Sequence, residues 1–206
     1  MTEKIQKILK RAIDIIASSI LLLLLLPVFL ITAIAVKLDS SGPIFYRWEV
    51  VGENGKSFIG YKFRTMYTDR DINKDDLEEY NRMDGPTFKM KDDPRVTDIG
   101  EKLRKYSIDE LPQLWSVLKG EMSLIGPRPP LQEEYKEFSS WHKKKLEAKP
   151  GMACLREVKQ LEEGAMITDF DEWVKLDIEY IENWSLWLDF KIMSKTLLYI
   201  IRGENV

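Results

Sequence analysis

Asp109 and Glu110 are adjacent carboxylates in the run Ser107-Ile108-Asp109-Glu110-Leu111-Pro112, where an apolar helical stripe begins. A carboxylate held ionised by a helix N-terminus can act as a nucleophile or a metal ligand. The same residues also fit a purely structural pattern. Ser107 and Glu110 have capping-box spacing, and acids in a first turn favour the helix dipole. Arg128 lies in Gly126-Pro127-Arg128-Pro129-Pro130, where three prolines stiffen the backbone around one guanidinium. That arrangement suits a phosphate or carboxylate ligand, although a surface connector has the same composition. Lys62 and Arg64 share one face of a strand by period-two alternation, either as cations aimed at phosphate or as solvated side chains. The chain has one Cys (Cys154) and one His (His142), so an intrachain disulfide, a Cys-cluster metal site and a His-rich zinc site are excluded. Chemistry here falls to carboxylates and cations.

These residues must be positioned by a chain of 206 residues, enough for one domain with a small appendage. Lys+Arg total 31 against 34 Asp+Glu, a net charge of -3, which argues against a non-specific nucleic-acid binder. From Ile15 to Val36 no residue is charged, and Leu21 to Leu26 is unbroken leucine. As a helix this run measures roughly 33 Å, near the thickness of a bilayer core. It is too long for a signal-peptide core, and Lys37-Leu38-Asp39 is no small-residue cleavage site, so the segment is expected to stay in the membrane. Basic residues flank both ends: Lys4, Lys7, Lys10 and Arg11 before it, Lys37 and Arg47 after it. Pro27 removes a backbone hydrogen bond within the run, and Ser18 and Ser19 are placed to re-satisfy freed carbonyls. A bent helix that enters and leaves on one face accounts for both features, as does a Pro-kinked anchor.

The remainder reads as a mostly helical α/β domain. Residues 44–51 and 56–66 are β-rich and flank Asn54-Gly55, a strong hairpin signal. Residues 71–93 mix acids with Lys74, Arg82, Lys89 and Lys91 and read as a solvated excursion without chemistry. Ile99, Leu103 and Tyr106 mark one helix, and Leu114, Trp115 and Leu118 another that stops at Gly120. Two further helices are expected, over 133–147 and over 180–202. The second is amphipathic, with Trp184 and Trp187 suited to the headgroup level.

Five motifs then occur in order: Lys62-Phe63-Arg64-Thr65-Met66; Asp92-Asp93-Pro94-Arg95-Val96-Thr97; Ser107 to Leu114; Met122 to Pro129; and Asn183 to Asp189. Together they resemble the bacterial sugar transferase family, the monotopic phosphoglycosyl transferases or undecaprenyl-phosphate sugar phosphotransferases, over about residues 10–202. The resemblance implies an α/β, mostly helical, membrane-associated fold with a small β-hairpin. It implies a re-entrant membrane helix over 1–38, broken at Leu26-Pro27, and a cytoplasmic catalytic domain over 39–206 at the inner membrane. Longer members have extra spans ahead of this unit, so the chain is expected to be a minimal catalytic version.

The implied reaction transfers a sugar 1-phosphate from a UDP-sugar to undecaprenyl phosphate, initiating exopolysaccharide, O-antigen, capsule or glycoprotein assembly. In it Asp109 would be the nucleophile, with Glu110 beside it, and both would hold Mg2+, which suits carboxylates plus phosphate oxygens. Lys62, Arg64, Arg104 and Arg128 would neutralise phosphate, and the family's late-helix acid falls on Asp177. Membrane lipid and downstream glycosyltransferases are the further partners implied. One stretch departs from the family: after Pro150-Gly151, residues 152–163 lack the usual glycines and terminal arginine, and Arg156 and Lys159 are the nearest cations. That departure is the feature that would fit a non-catalytic scaffold in a glycan-assembly complex.

Overall fold

The structure, a computed structural model, describes residues 2–69, 72 and 75–204; Asp71 and Lys74 of the charged excursion lie outside the described residues. Helices α1 (Glu3–Leu24) and α2 (Leu26–Asp39) meet at 60° across Leu25. Pro27 falls in the first turn of α2, where its missing N–H leaves no helical bond unmade. Neither helix alone is long and apolar enough to cross a membrane, but the bent pair passes the length and composition test together. Ser18 donates to Asp14 O at 2.6 Å and Ile15 O at 3.2 Å, carbonyls of its own turn rather than those that Pro27 frees.

One side of α1 is tied down by polar contacts. Arg11 donates to Val117 O (2.6 Å) and Leu118 O (2.8 Å), carbonyls at the end of α4 (Leu114–Lys119). Asp14 accepts from the N–H of Leu124 at 3.0 Å and from Ser123 Oγ at 3.1 Å, both in β3 (Ser123–Ile125). Lys10 reaches Ile125 O at 2.9 Å and Asp189 at 2.6 Å. Elsewhere on α1 Ile16, Leu23 and Leu24 are exposed, as are Leu30 and Ile31 of α2.

Strands β1 (Phe45–Val51) and β2 (Ser57–Phe63) form the expected antiparallel hairpin, with Tyr46 opposite Lys62. Asn54 (φ 57°) and Gly55 (φ 75°) both take the left-handed conformation that this turn demands. Helix α3 (Asp98–Lys105) is N-capped by Thr97, whose hydroxyl accepts from Gly100 N–H at 2.9 Å. A 3-10 segment, Ile108–Gln113, runs into α4. After β3, short α5 (Gln132–Lys136) leads by a 3-10 turn, His142–Glu147, to β4 (Gly151–Ala153). Strand β4 lies parallel to β3. The crossing is too close for side chains: a Cβ on Gly151 would stand 2.0 Å from Gly126 N. Helices α6 (Leu155–Glu163), α7 (Phe170–Glu182) and α8 (Leu186–Arg202) complete the fold. The main core joins Leu114, Val117, Met122 and Ile125 to Val158, Tyr180 and Ile192.

Two helices expected from sequence are broken. Over 133–147 helix stops at Lys136, because Ser139 and His142 trade side-chain bonds: Ser139 N–H donates to His142 Nδ1 (3.1 Å), and His142 N–H donates to Ser139 Oγ (3.2 Å). Over 180–202 the chain breaks after Glu182. Ser185 starts a new helix by accepting from Leu188 N–H at 3.1 Å.

Candidate active site

Asp109 and Glu110 sit in the 3-10 segment Ile108–Gln113, packed between β2 and α3. The capping box is not formed. Ser107 takes φ 51°, ψ 24° and makes no side-chain cap, so its backbone turns left-handed just ahead of the dyad. Such a conformation is costly for a non-glycine residue and is held only by its surroundings. It brings both carboxylates inward: Asp109 is 7% exposed and Glu110 is half-buried.

Lys62, from β2, donates to the Glu110 carboxylate and lies 5.1 Å over the Trp48 ring. Gln113 is a further neighbour that favours the ionised form of Glu110. Burial works against ionising Glu110, but Lys62 and Arg128 hold its carboxyl below the usual range. Asp109 goes the other way. Burial first, then the neighbouring Glu110 charge, push it up to about 6, against the opposing pull of Lys62 and Arg104. The dyad therefore contains one carboxylate already paired and one whose charge lacks full compensation.

Arg104, on α3, donates from Nε to Thr65 Oγ1 at 3.0 Å, with Asp109, Asp93 and Glu110 as its charged neighbours. Thr65 in turn is pinned by Gly100, where an added Cβ would stand 2.2 Å from Thr65 O. Arg128, exposed on its proline-stiffened loop, lies within the field of Glu110 and donates to Glu157 Oε1 at 3.4 Å. The Glu110 and Glu157 carboxylates raise its pKa above the ordinary arginine value.

Arg64 and Asp177 do not join this group. Strand β2 ends at Phe63, and Arg64 turns to the C-terminus of α2, donating to Ser40 O (2.8 Å), Pro43 O (2.6 Å) and Val36 O (3.3 Å). Its guanidinium is occupied by helix-end carbonyls that would otherwise be orphaned. Asp177 is 2% exposed and ion-paired at 2.6 Å with Lys145. Arg156 of the unusual 152–163 segment is also internal: it stacks 3.7 Å over Trp173 and bonds Gln160 at 3.1 Å.

Sequence reasoning passed over Thr65, Gln113 and Glu157. Gln113 and Thr65 stand inside quoted motifs and carried a readable signal, whereas Glu157 becomes relevant only when α6 packs behind the 126–130 loop. Of the other nucleophiles, Cys154 is buried, and burial together with Glu157 pushes its thiol up to about 12. His142 is engaged with Asp171 at 2.8 Å and packed against Phe138 and Phe170.

Among the described residues no group of three His, Cys, Asp or Glu is placed to hold a metal. Two carboxylates nonetheless fit Mg2+, which takes one or two and completes its shell with phosphate oxygens and water. Burial first, and the Glu110 charge second, leave Asp109 with a charge that a divalent cation would compensate.

A family model described as "Bacterial sugar transferase" matches residues 5–203. The chain is 45% identical over 200 residues to "Galactosyl transferase CpsE" of Streptococcus agalactiae, covering 96% of this chain and 43% of that protein. It is 39% identical to "Exopolysaccharide production protein ExoY" of Rhizobium meliloti, covering 91% of this chain and 83% of that one. It is 37% identical to "Undecaprenyl-phosphate galactose phosphotransferase" of Salmonella typhimurium, covering all of this chain and 43% of that protein. The chain thus spans less than half the length of several curated relatives it matches. With the family model matching nearly the whole sequence, the chain belongs to the bacterial sugar transferase family.

Proposed function

We propose that this chain transfers a sugar 1-phosphate from a UDP-sugar to undecaprenyl phosphate, initiating glycan assembly, with Asp109 as a covalent nucleophile. The observation that carries the reading is the asymmetry of the dyad: Glu110 is tied to Lys62, while Asp109 is buried and poorly compensated. A carboxylate in that condition gains from attacking an electrophilic phosphorus once cations screen the phosphate oxygens.

Asp109 attacks the β-phosphorus of the donor, the bond from that phosphorus to the bridging oxygen breaks, and UMP leaves. The undecaprenyl phosphate oxygen then attacks the sugar-phosphoryl aspartate, forming the polyprenyl diphosphate sugar and releasing the Asp109 carboxylate. Lys62 keeps Glu110 ionised and fixed. Arg104 and Arg128 screen the phosphates from two sides. Asp109 and Glu110 would hold Mg2+, which when bound neutralises charge on the transferring phosphoryl group.

The bent α1–α2 pair supports a re-entrant membrane element over 1–38, with both of its ends on the cytoplasmic side of the inner membrane and a catalytic portion over 39–206 facing the cytoplasm. The ties from Lys10, Arg11 and Asp14 to β3, α4 and α8 would fix the catalytic portion at headgroup level, where the carrier phosphate lies. The relatives' names support the substrates, among them "UDP-galactose-lipid carrier transferase" of Erwinia amylovora. Incubation with a UDP-sugar panel, Mg2+ and undecaprenyl phosphate, reading UMP release and lipid product, tests the proposal. Absence of product with every donor would overturn it.

A further inference from the structure

The motif Asn183 to Asp189 takes no part in the dyad, yet each of its polar side chains is engaged. Asn183 donates to Glu179 O at 2.9 Å, at the end of α7. Ser185 caps α8 and thereby places Asp189 in the first turn of that helix. Asp189 is 9% exposed and gathers three donors: Lys10 Nζ at 2.6 Å, Tyr180 OH at 2.7 Å and Trp184 Nε1 at 3.2 Å. Trp184, expected at headgroup level, thus turns inward to Asp189 and the main core, whereas Trp187 stays exposed. One carboxylate ties α1, α7 and the α7–α8 turn to a single point.

Two of the same donors converge on one backbone oxygen. Lys10 Nζ reaches Ile125 O at 2.9 Å, and Tyr180 OH lies 3.2 Å from it. Tyr180 has one hydroxyl proton, which favours the nearer Asp189 oxygen, whereas the Lys10 ammonium has three and serves both acceptors. Ile125 ends β3, and Arg128 follows three residues later. The backbone between them is bonded to β4: Gly126 N–H donates to Ala153 O at 3.0 Å, and Pro127 O accepts from Gly151 N–H at 2.9 Å. The root of the Arg128 loop is therefore held from one side by β4 and from the other by α1. The Lys10 and Asp189 side chains are only 19% and 12% exposed. A pair so far from water adds little net stability after its desolvation, so its effect on loop geometry is separable from its effect on folding.

We propose that Asp189 is a positioning residue for Arg128: it holds Lys10 on the Ile125 carbonyl and so locks the root of the 126–130 loop to α1. The assignment rests on the transferase reading above, in which Arg128 screens a substrate phosphate. Without Asp189 the Lys10 ammonium loses its counter-charge and turns to solvent, and the Ile125 carbonyl loses its strongest donor. A guanidinium that must meet a phosphate in fixed geometry loses effect when its loop is loosened.

The test is a double-mutant cycle on the full chain in nanodiscs, with Asp189→Asn and Arg128→Met made singly and together. Asp189→Asn is expected to lower kcat/KM for the UDP-sugar by about tenfold, and Lys10→Met to do the same. In the Arg128→Met background Asp189→Asn is expected to cost less than about twofold. Equal losses in the two backgrounds, or wild-type kinetics for Asp189→Asn, overturn the proposal. Hydrogen exchange supplies a reading that needs no turnover. Asp189→Asn should speed exchange of the Gly126 and Gly151 amides by about tenfold and leave the β1–β2 hairpin unchanged. Unaltered exchange at those two glycines overturns the clamp. If Asp189→Asn does not fold, the pair Lys10→Met and Asp189→Leu, which puts apolar groups of similar size in place of the ions, takes its place in both measurements. A wild-type chain inactive on every donor would overturn the transferase reading, and exchange at Gly126 and Gly151 would still decide the clamp.

Discussion

Lys62 donates to the Glu110 carboxylate from the strand that faces the 3-10 segment Ile108–Gln113, and this contact divides the labour of two adjacent acids. Glu110 is held ionised, and its charge in turn makes ionised Asp109 costly. Removing the cation leaves a half-buried carboxylate uncompensated, a cost on the order of 1–3 kcal/mol. Lys62→Met is therefore expected to lower kcat by roughly ten- to a hundredfold and to shift the acid limb of the pH profile upward. Lys62→Arg should retain most activity. A Lys62→Met variant with wild-type kcat and pH profile would remove Lys62 from the mechanism.

The pH dependence follows from Asp109. Its folded-state value of about 6 exceeds the ordinary 3.8, so between those values the folded chain holds a proton that the unfolded chain has released. The nucleophile must be ionised, and in substoichiometric Mg2+ kcat/KM is expected to fall about tenfold per pH unit below about 6. Saturating Mg2+ should move that limb to lower pH. A flat profile down to pH 5 in low Mg2+ would contradict the assignment.

Stability should respond with the opposite sign. The Asp109 contribution is most favourable at low pH and is lost as pH rises from about 4 through about 6, by an amount on the order of 3 kcal/mol at most. In EDTA above pH 7, Asp109→Asn is expected to raise the unfolding midpoint by several degrees. Unchanged or lowered stability under those conditions would mean that the carboxylate is not strained in the fold.

The hairpin was legible in the sequence because period-two alternation and Asn54-Gly55 are local signals. The dyad and Arg128 were legible as motifs, but their geometry was not. Ser107 offered a capping-box reading, yet left-handed backbone replaced the cap, a choice made by packing against β2 and α3. Lys62 and Arg64 alternate correctly for a shared face, but β2 ends between them, so one reaches Glu110 and the other the α2 carbonyls. The parallel pairing of β3 with β4 involves three-residue strands, too short for any periodicity, and depends on Gly126 and Gly151 passing at contact distance.

Arg64 provides a structural contrast to Lys62. Its bonds to Val36, Ser40 and Pro43 carbonyls predict that Arg64→Met costs about 2–4 kcal/mol of stability without a selective rise in donor KM. Thermal unfolding beside steady-state kinetics separates the two effects. A large donor KM change at unaltered stability would instead make Arg64 a phosphate ligand.

The membrane arrangement predicts that single cysteines replacing Thr2 and Asp39 are labelled from the same side by a membrane-impermeant reagent. The native Cys154 is buried and will not interfere. Labelling from opposite faces would replace the re-entrant helix pair by a span.

The central claim is the covalent role of Asp109, and mass spectrometry of the quenched enzyme addresses it most directly. Wild-type protein mixed with its best UDP-sugar and Mg2+, without undecaprenyl phosphate, should release about one UMP per active site. The peptide containing Asp109 should gain one sugar phosphate, and Asp109→Asn should show neither the burst nor the adduct. UMP release that requires undecaprenyl phosphate with no adduct on the peptide, or an adduct that persists in Asp109→Asn, would contradict it.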